Sequence, residues 1–169
     1  MPKMNYFLIG PMGSGKSTIG ARLAKRLQMP FHDTDREIEL RLNNSIATLF
    51  KTKGEAYFRI HESNILAELS NKTGIVLATG GGIINGFNNR CCLVARGKII
   101  YLKASVNSQT QRLQGDTHRP LLQYYSLEQL ANQRNSFYEG LADCIVESDK
   151  QTPNQIVDQL YQMIVEKKL

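Results

Sequence analysis

Residues 10–17, Gly-Pro-Met-Gly-Ser-Gly-Lys-Ser, fit G-x-x-x-x-G-K-[ST], the pattern of a loop that wraps phosphate groups. Glycines let successive backbone N–H groups turn inward onto phosphate oxygens. Lys16 is expected to reach the β- and γ-phosphates of a nucleotide, and the Ser17 hydroxyl to ligate Mg²⁺. A chance glycine turn would carry the same letters, but this one lies at the first strand-to-helix junction, as the mechanism requires. Mg²⁺ usually needs a carboxylate from a neighbouring strand end. The segment Asp33-Thr34-Asp35 offers two. Two residues apart on an extended segment, both can face one cleft, Asp33 holding a metal-bound water and Asp35 a substrate hydroxyl. The competing reading is that one of them caps the next helix. Thr79-Gly80-Gly81-Gly82 follows a third strand, where consecutive glycines suggest close approach of backbone to a ligand, or a plain tight turn. Arg59, Arg112, Arg119 and Arg134 are each unremarkable as solvated charges, but converging on one cleft they would suit a carboxylate.

The elements that must hold these residues follow from periodicity. Tyr6-Phe7-Leu8-Ile9 reads as a buried strand, and Thr18 to Gln28 as a helix with Ile19, Leu23 and Leu27 on one face. Pro30-Phe31-His32 is a second strand, followed by helices at Asp35–Leu42, Ser45–Phe50 and about Glu55–Leu69. Strands at Ile75–Ala78, Ile99–Leu102 and Cys144–Val146 alternate with helices at Asn88–Ala95, Ser105–Leu113, Ser126–Leu141 and from Thr152 onward. Ser126 to Gln129 and Thr152 to Gln155 both read as capping boxes. Five apolar strands separated by helices imply an α/β fold, a parallel sheet covered on both faces. Residues 114–125 have no clear periodicity and read as a lid or a loop.

Composition narrows the function. The 169 residues are 41% hydrophobic and 21% charged, with a net charge of +6, an ordinary globular balance of one-domain size. The positive charges are scattered, so a nucleotide is a better partner than nucleic acid. Cys91, Cys92 and Cys144 suggest neither a disulfide framework nor a zinc site, and read as reduced cysteines in or near the core of a cytoplasmic protein. No apolar run reaches the ~20 residues of a membrane span, and the first residues leave no room for a signal peptide. Asn71-Lys72-Thr73-Gly74 resembles the guanine-reading N-K-x-D, but it lacks the acid and precedes a strand, so a GTPase is disfavoured. Of the histidines, His32 and His61 read as packing or surface residues, and His118 is the one with a plausible ligand contact.

Taken together, residues 10–18, Asp33-Thr34-Asp35, Gly54-Glu55 leading to Phe58-Arg59 and Glu62, Thr79 to Gly82, Arg119-Pro120-Leu121-Leu122, and Arg134 with Tyr138, Glu139 and Ala142 resemble the shikimate kinase family over about Phe7 to Leu160. The resemblance implies a single domain over 1–169, a three-layer α/β/α P-loop fold like the nucleoside monophosphate kinases with a five-stranded parallel sheet. It implies a mobile lid at about 113–125 and a substrate-binding helical region at about 35–62. It implies phosphorylation of the 3-hydroxyl of shikimate by ATP, with Mg²⁺, in a cytoplasmic monomer with no nucleic-acid or membrane partner. Lys16, Asp35 and Arg119 would be catalytic. Gly13, Ser14, Gly15, Lys16, Ser17, Thr18, Arg112, Arg119, Gln151 and Pro153 would bind ATP. Asp35, Arg59, Gly80, Gly81, Gly82 and Arg134 would bind shikimate, with Ser17 on the metal and Asp33 reaching it through water. Ser136 stands where the family often has proline, and Gln151 where other members can carry arginine. A sugar-acid or nucleoside-monophosphate kinase would share the loop and lid, but the paired aspartates and arginines suit a hydroxylated acid better.

Overall fold

The computed structural model describes residues 4–116 and 119–169. Thr117 and His118 lie outside the described residues, as does that part of the expected lid. In chain order the elements are β1 (Tyr6–Ile9), α1 (Lys16–Leu27), β2 (Phe31–Asp33), α2 (Thr34–Leu42), α3 (Ile46–Lys53), α4 (Glu55–Ser70), β3 (Val76–Ala78), α5 (Phe87–Arg96), β4 (Lys98–Lys103), α6 (Val106–Arg112), α7 (Leu127–Leu141), β5 (Cys144–Glu147) and α8 (Pro153–Val165). Short 3₁₀ turns occupy Ile83–Asn85 and Pro120–Gln123.

The five strands form one parallel sheet in the order β2-β3-β1-β4-β5. All four residues of β1 are buried because the strand faces two cores. Phe7 and Ile9 join one with Ile38, Phe58, Ile65, Leu93 and Tyr138. Tyr6 and Leu8 join the other with Ile19, Leu23, Ile156 and Leu160. Successive strand side chains point to opposite faces, so a strand covered on both sides must be apolar throughout. The apolar stripes of α1 and α8 therefore cover one face, and α2, α4, α5 and α7 the other.

Register places the chemistry. Ala78 is paired with Leu8 on one side and with Asp33 on the other, so β1, β3 and β2 end at one level. The loop after β1, the glycines after β3 and the aspartates after β2 therefore meet at the carboxyl edge. The sheet order changes direction at β1, and open α/β sheets bind ligands in that crevice.

Expected caps are present. Ser45, Ser105, Ser126 and Thr152 each accept a backbone N–H, the last two in full capping boxes, with Pro153 opening α8. Other features depart from the sequence reading. Helix α1 opens at Lys16 rather than Thr18, because Gly15 already supplies its left-handed cap. Edge strand β5 buries Cys144 and Val146 but leaves Ile145 47% exposed, so the covering of both faces fails there. Cys91 is exposed on α5, whereas Cys92 is half-buried and Cys144 buried. Helix α7 runs unbroken through Ser136. Among the described residues no helix is long and apolar enough to cross a membrane.

Candidate active site

The loop after β1 is shaped by backbone that only glycine adopts easily: Gly13 has φ 74° and Gly15 φ 94°. It delivers Lys16 and Ser17 into the first turn of α1, where unpaired N–H groups and the helix dipole attract anions. Lys16 Nζ lies back along its own loop, donating to the carbonyls of Gly10 at 2.8 Å and Pro11 at 2.7 Å. Burial pulls its pKa down to about 8, with Asp35 opposing the shift. Arg112 donates to the Gly13 carbonyl at 3.0 Å and to the Ser148 carbonyl at 2.7 Å, tying the loop to the end of β5.

Asp33 caps α2 through Oδ1, which accepts from the backbone of Asp35 at 3.0 Å and Arg36 at 3.3 Å. Its other oxygen accepts from the Ser17 hydroxyl at 2.5 Å. The capping and functional readings of this residue are thus compatible, one oxygen each. Asp35 is not on an extended segment, as its spacing from Asp33 had suggested, but in the first turn of α2. It still lines the same cleft as Asp33. Burial, then the neighbouring Glu62 and Asp33, raise its pKa to about 7, while Lys16 and Arg119 pull the other way.

Two cavities adjoin here. One of about 320 Å³ is lined by Gly13, Gly15, Lys16, Ser17, Thr18 and Arg112, with Asp33. The other, of about 390 Å³, is lined by Arg59, Glu62, Gly80, Gly81, Gly82 and Arg134, with Phe50 and Phe58 as an apolar wall. Met12, Asp35, Gly81, Asp116 and Arg119 line both. The convergence of arginines that spacing alone left open is therefore met by Arg59, Arg119 and Arg134 in the second cavity and by Arg112 and Arg119 in the first. Ser14 is buried beneath the loop, and Gln151 and Pro153 line neither cavity. Gln151 instead donates to the Glu147 carbonyl at 3.4 Å. His32 sits 3.5 Å from Glu37, and His61 packs on Tyr57, both away from these cavities.

Three residues that line the second cavity each carry a buried polar atom without a hydrogen-bond partner: Asp35 Oδ1, Glu62 Oε1 and Arg134 Nε. Buried groups of this kind are costly unless a ligand completes them. Two acceptors call for hydroxyl donors, and a guanidinium N–H calls for an anion. Arg59 is already paired, to Glu62 at 2.6 Å and to Glu55 at 3.0 Å. Gly80 makes room for this cluster: a Cβ there would stand 2.7 Å from both Asp35 Oδ1 and Glu62 Oε1. The glycine run thus admits side chains as well as lining the cavity. Tyr138 donates to the Gly81 carbonyl at 2.5 Å and fixes the loop against α7.

Glu62 had stood in the sequence only as part of a motif. Its signal was present as a carboxylate on the buried stripe Phe58, Ile65, Leu66 and Leu69 of α4, three residues beyond Arg59. Burial raises its pKa against the pull of Arg59.

A glycine-rich phosphate loop at a parallel-sheet switch point, opening onto an adjoining polar acceptor cavity, defines a P-loop kinase of small molecules. The family model for shikimate kinase matches residues 12–165, so the chain belongs to the shikimate kinase family. It is 49% identical over 166 residues to a shikimate kinase of Shewanella pealeana, covering 94% of this chain and 97% of that one. Among solved structures, shikimate kinase from Acinetobacter baumannii in complex with shikimate superposes with a TM-score of 0.94 at 37% identity, covering 99% and 96% of the two chains. Shikimate kinase from Aquifex aeolicus superposes with a TM-score of 0.82 at 32% identity, covering 98% of each.

Proposed function

We propose that this chain transfers the γ-phosphoryl group of ATP to the 3-hydroxyl of shikimate, giving shikimate 3-phosphate and ADP, a step toward chorismate and the aromatic amino acids. The observation that carries the residue assignment is that Asp35, Glu62 and Arg134, which line one cavity, each carry an unpartnered buried polar atom. Their chemistry asks for a ligand with hydroxyl groups and a carboxylate.

The phosphate loop, with Gly13, Ser14, Gly15, Lys16, Ser17 and Thr18, binds the triphosphate. Arg112 closes the nucleotide side, with Gln151 and Pro153 toward the base. Arg134 and Arg59 hold the shikimate carboxylate, and the backbone of Gly80, Gly81 and Gly82 lines the ring. Asp35 orients the 3-hydroxyl and takes its proton as the oxygen forms its bond to the γ-phosphorus. The bond from that phosphorus to the β,γ-bridging oxygen breaks, and ADP carries the electron pair. A base whose pKa lies near 7 is well matched to this task. Lys16 and Arg119 neutralise the charge on the group in transit. The lid at about 113–125 excludes water, a competing acceptor.

The Ser17 hydroxyl and the Asp33 carboxylate, 2.5 Å apart, are hard oxygen donors that fit Mg²⁺. Among the described residues no group of three or more His, Cys, Asp or Glu side chains could hold a metal ion. Ser17 would hold the ion directly and Asp33 through water, and its charge would offset that of the phosphates. We read the chain as one catalytic domain, its substrate-binding helices at about 35–62, acting as a cytoplasmic monomer on small molecules, with neither nucleic acid nor membrane as partner.

A coupled assay of ADP release tests this reading. Release is expected with shikimate and not with gluconate or a nucleoside monophosphate; turnover with either of those instead would refute it. Arg134→Ala is expected to raise the KM for shikimate by roughly 30- to 150-fold, from about 2–3 kcal/mol for a buried charge partner, with the KM for ATP little changed. Equal rises for both substrates would remove Arg134 from the acceptor side.

A further inference from the structure

Arg119 and Lys16 bring two positive charges to the boundary between the cavities, and each cation disfavours the other there. A third charged residue, on the lid, stands at the same boundary. Asp116 lines both cavities, and its Oδ2 accepts from Arg119 Nε at 3.1 Å. The bond uses the inner nitrogen of the guanidinium. The two terminal nitrogens, which carry four of its five N–H groups, remain for another acceptor. Carboxylates usually take arginine through a terminal nitrogen or both forks, so Nε engagement sets which edge of the plane points away.

We propose that Asp116 is a positioning residue for phosphoryl transfer. Its carboxylate holds Arg119 through Nε, so that the terminal nitrogens face the group in transit between the two cavities. It also offsets the repulsion between Arg119 and Lys16 before nucleotide arrives. The inference rests on the reading above and adds a residue to its chemistry. A side chain that only positions another should affect kcat more than substrate binding, since Arg119 acts on charge that develops in the transition state.

The test uses the full chain with ATP, Mg²⁺ and shikimate, and the wild-type enzyme in the same assay reads the underlying activity separately. Asp116→Ala is expected to lower kcat by roughly 10- to 100-fold, the scale of a catalytic group displaced by about 1 Å. The KM for shikimate should stay within about twofold. Asp116→Asn keeps an oxygen acceptor for Nε and should recover much of the loss, which a merely structural role or a net-charge effect would not produce. In an Arg119→Lys background, which has no Nε to hold, Asp116→Ala should cost less than about twofold more. Three results would each overturn the proposal: unchanged kcat in Asp116→Ala, a full additional loss in the Arg119→Lys background, or a rise in KM that accounts for the whole effect. If wild-type enzyme releases ADP only with another acceptor, the reading of substrate fails, and the kcat comparison on that acceptor still decides the role of Asp116.

Discussion

Asparagine at position 35 is expected to cut kcat by roughly 10²- to 10⁴-fold while making the ligand-free protein more stable, and the gain should grow with pH. The activity loss would follow from removing the group proposed to accept the hydroxyl proton. The stability gain follows from burial. In the folded chain Asp35 titrates at about 7 instead of 3.8, chiefly because its carboxylate is buried, with Glu62 and Asp33 adding to the effect. Below about pH 4 the group is protonated in both states and costs nothing as a charge. Between about 4 and 7 the folded state still holds a proton that the unfolded state has released. Stability therefore falls as pH rises through that window, and above 7 the full cost is present. The rise from 3.8 to about 7 corresponds to about 4 kcal/mol, a net figure that already includes the opposing pull of Lys16 and Arg119. For a chain of this size that is on the order of 8–16 °C in Tm. Thermal melts of both proteins in chelator, without nucleotide, at pH 5 and pH 8 measure it. An equal gain at both pH values, or a loss at pH 8, would show that Asp35 is not held in this way; an unaffected kcat would show that it is not the base.

Methionine at position 16 is expected to abolish measurable transfer, a loss on the order of 10³-fold or more, with the fold intact. Lys16 is nearly enclosed by its loop, and burial lowers its pKa to about 8, so at neutral pH it still carries most of its charge. Its ammonium is held by the Gly10 and Pro11 carbonyls in the absence of phosphate. Exchange of those carbonyls for phosphate oxygens trades dipoles for full charges, which favours the nucleotide complex. Methionine keeps the length and loses the charge. The two hydrogen bonds to the loop carbonyls that it gives up are worth about 1 kcal/mol each, so the Tm should fall by only several degrees. Circular dichroism and a melt establish the fold, and steady-state ADP release the activity. Turnover within tenfold of the parent would remove Lys16 from its role.

Local chemistry made the phosphate loop legible before any coordinates. Glycine spacing, Lys16 and Ser17 are contiguous, and their geometry is set by φ angles that few other residues accept. The capping boxes at Ser126 and Thr152 and the apolar stripes of α1 and α8 were equally local. The acceptor cavity was less so. Asp35, Arg59, Gly80 and Arg134 come from four elements, and their meeting depends on the pairing of Ala78 with both Leu8 and Asp33. Glu62 became visible as a site residue only when Gly80 was seen to leave space for its carboxylate.

From the order of its residues alone, this chain determined the kind of chemistry it could attempt: phosphate binding in a parallel α/β frame, with acids and arginines in reserve. Backbone conformation and hydrophobic periodicity act over a few residues, so letters suffice to read them. Which charges pair, which stay unpartnered and which cavity they face was decided by the tertiary structure. Those outcomes depend on burial and on distances of a few ångströms between residues far apart in the chain, as between Glu62 and Gly80 or Tyr138 and Gly81. Desolvation then set the energies, moving Asp35 to about 7 and Lys16 to about 8, because the electrostatic cost of a charge depends on what surrounds it and not on its neighbours in sequence.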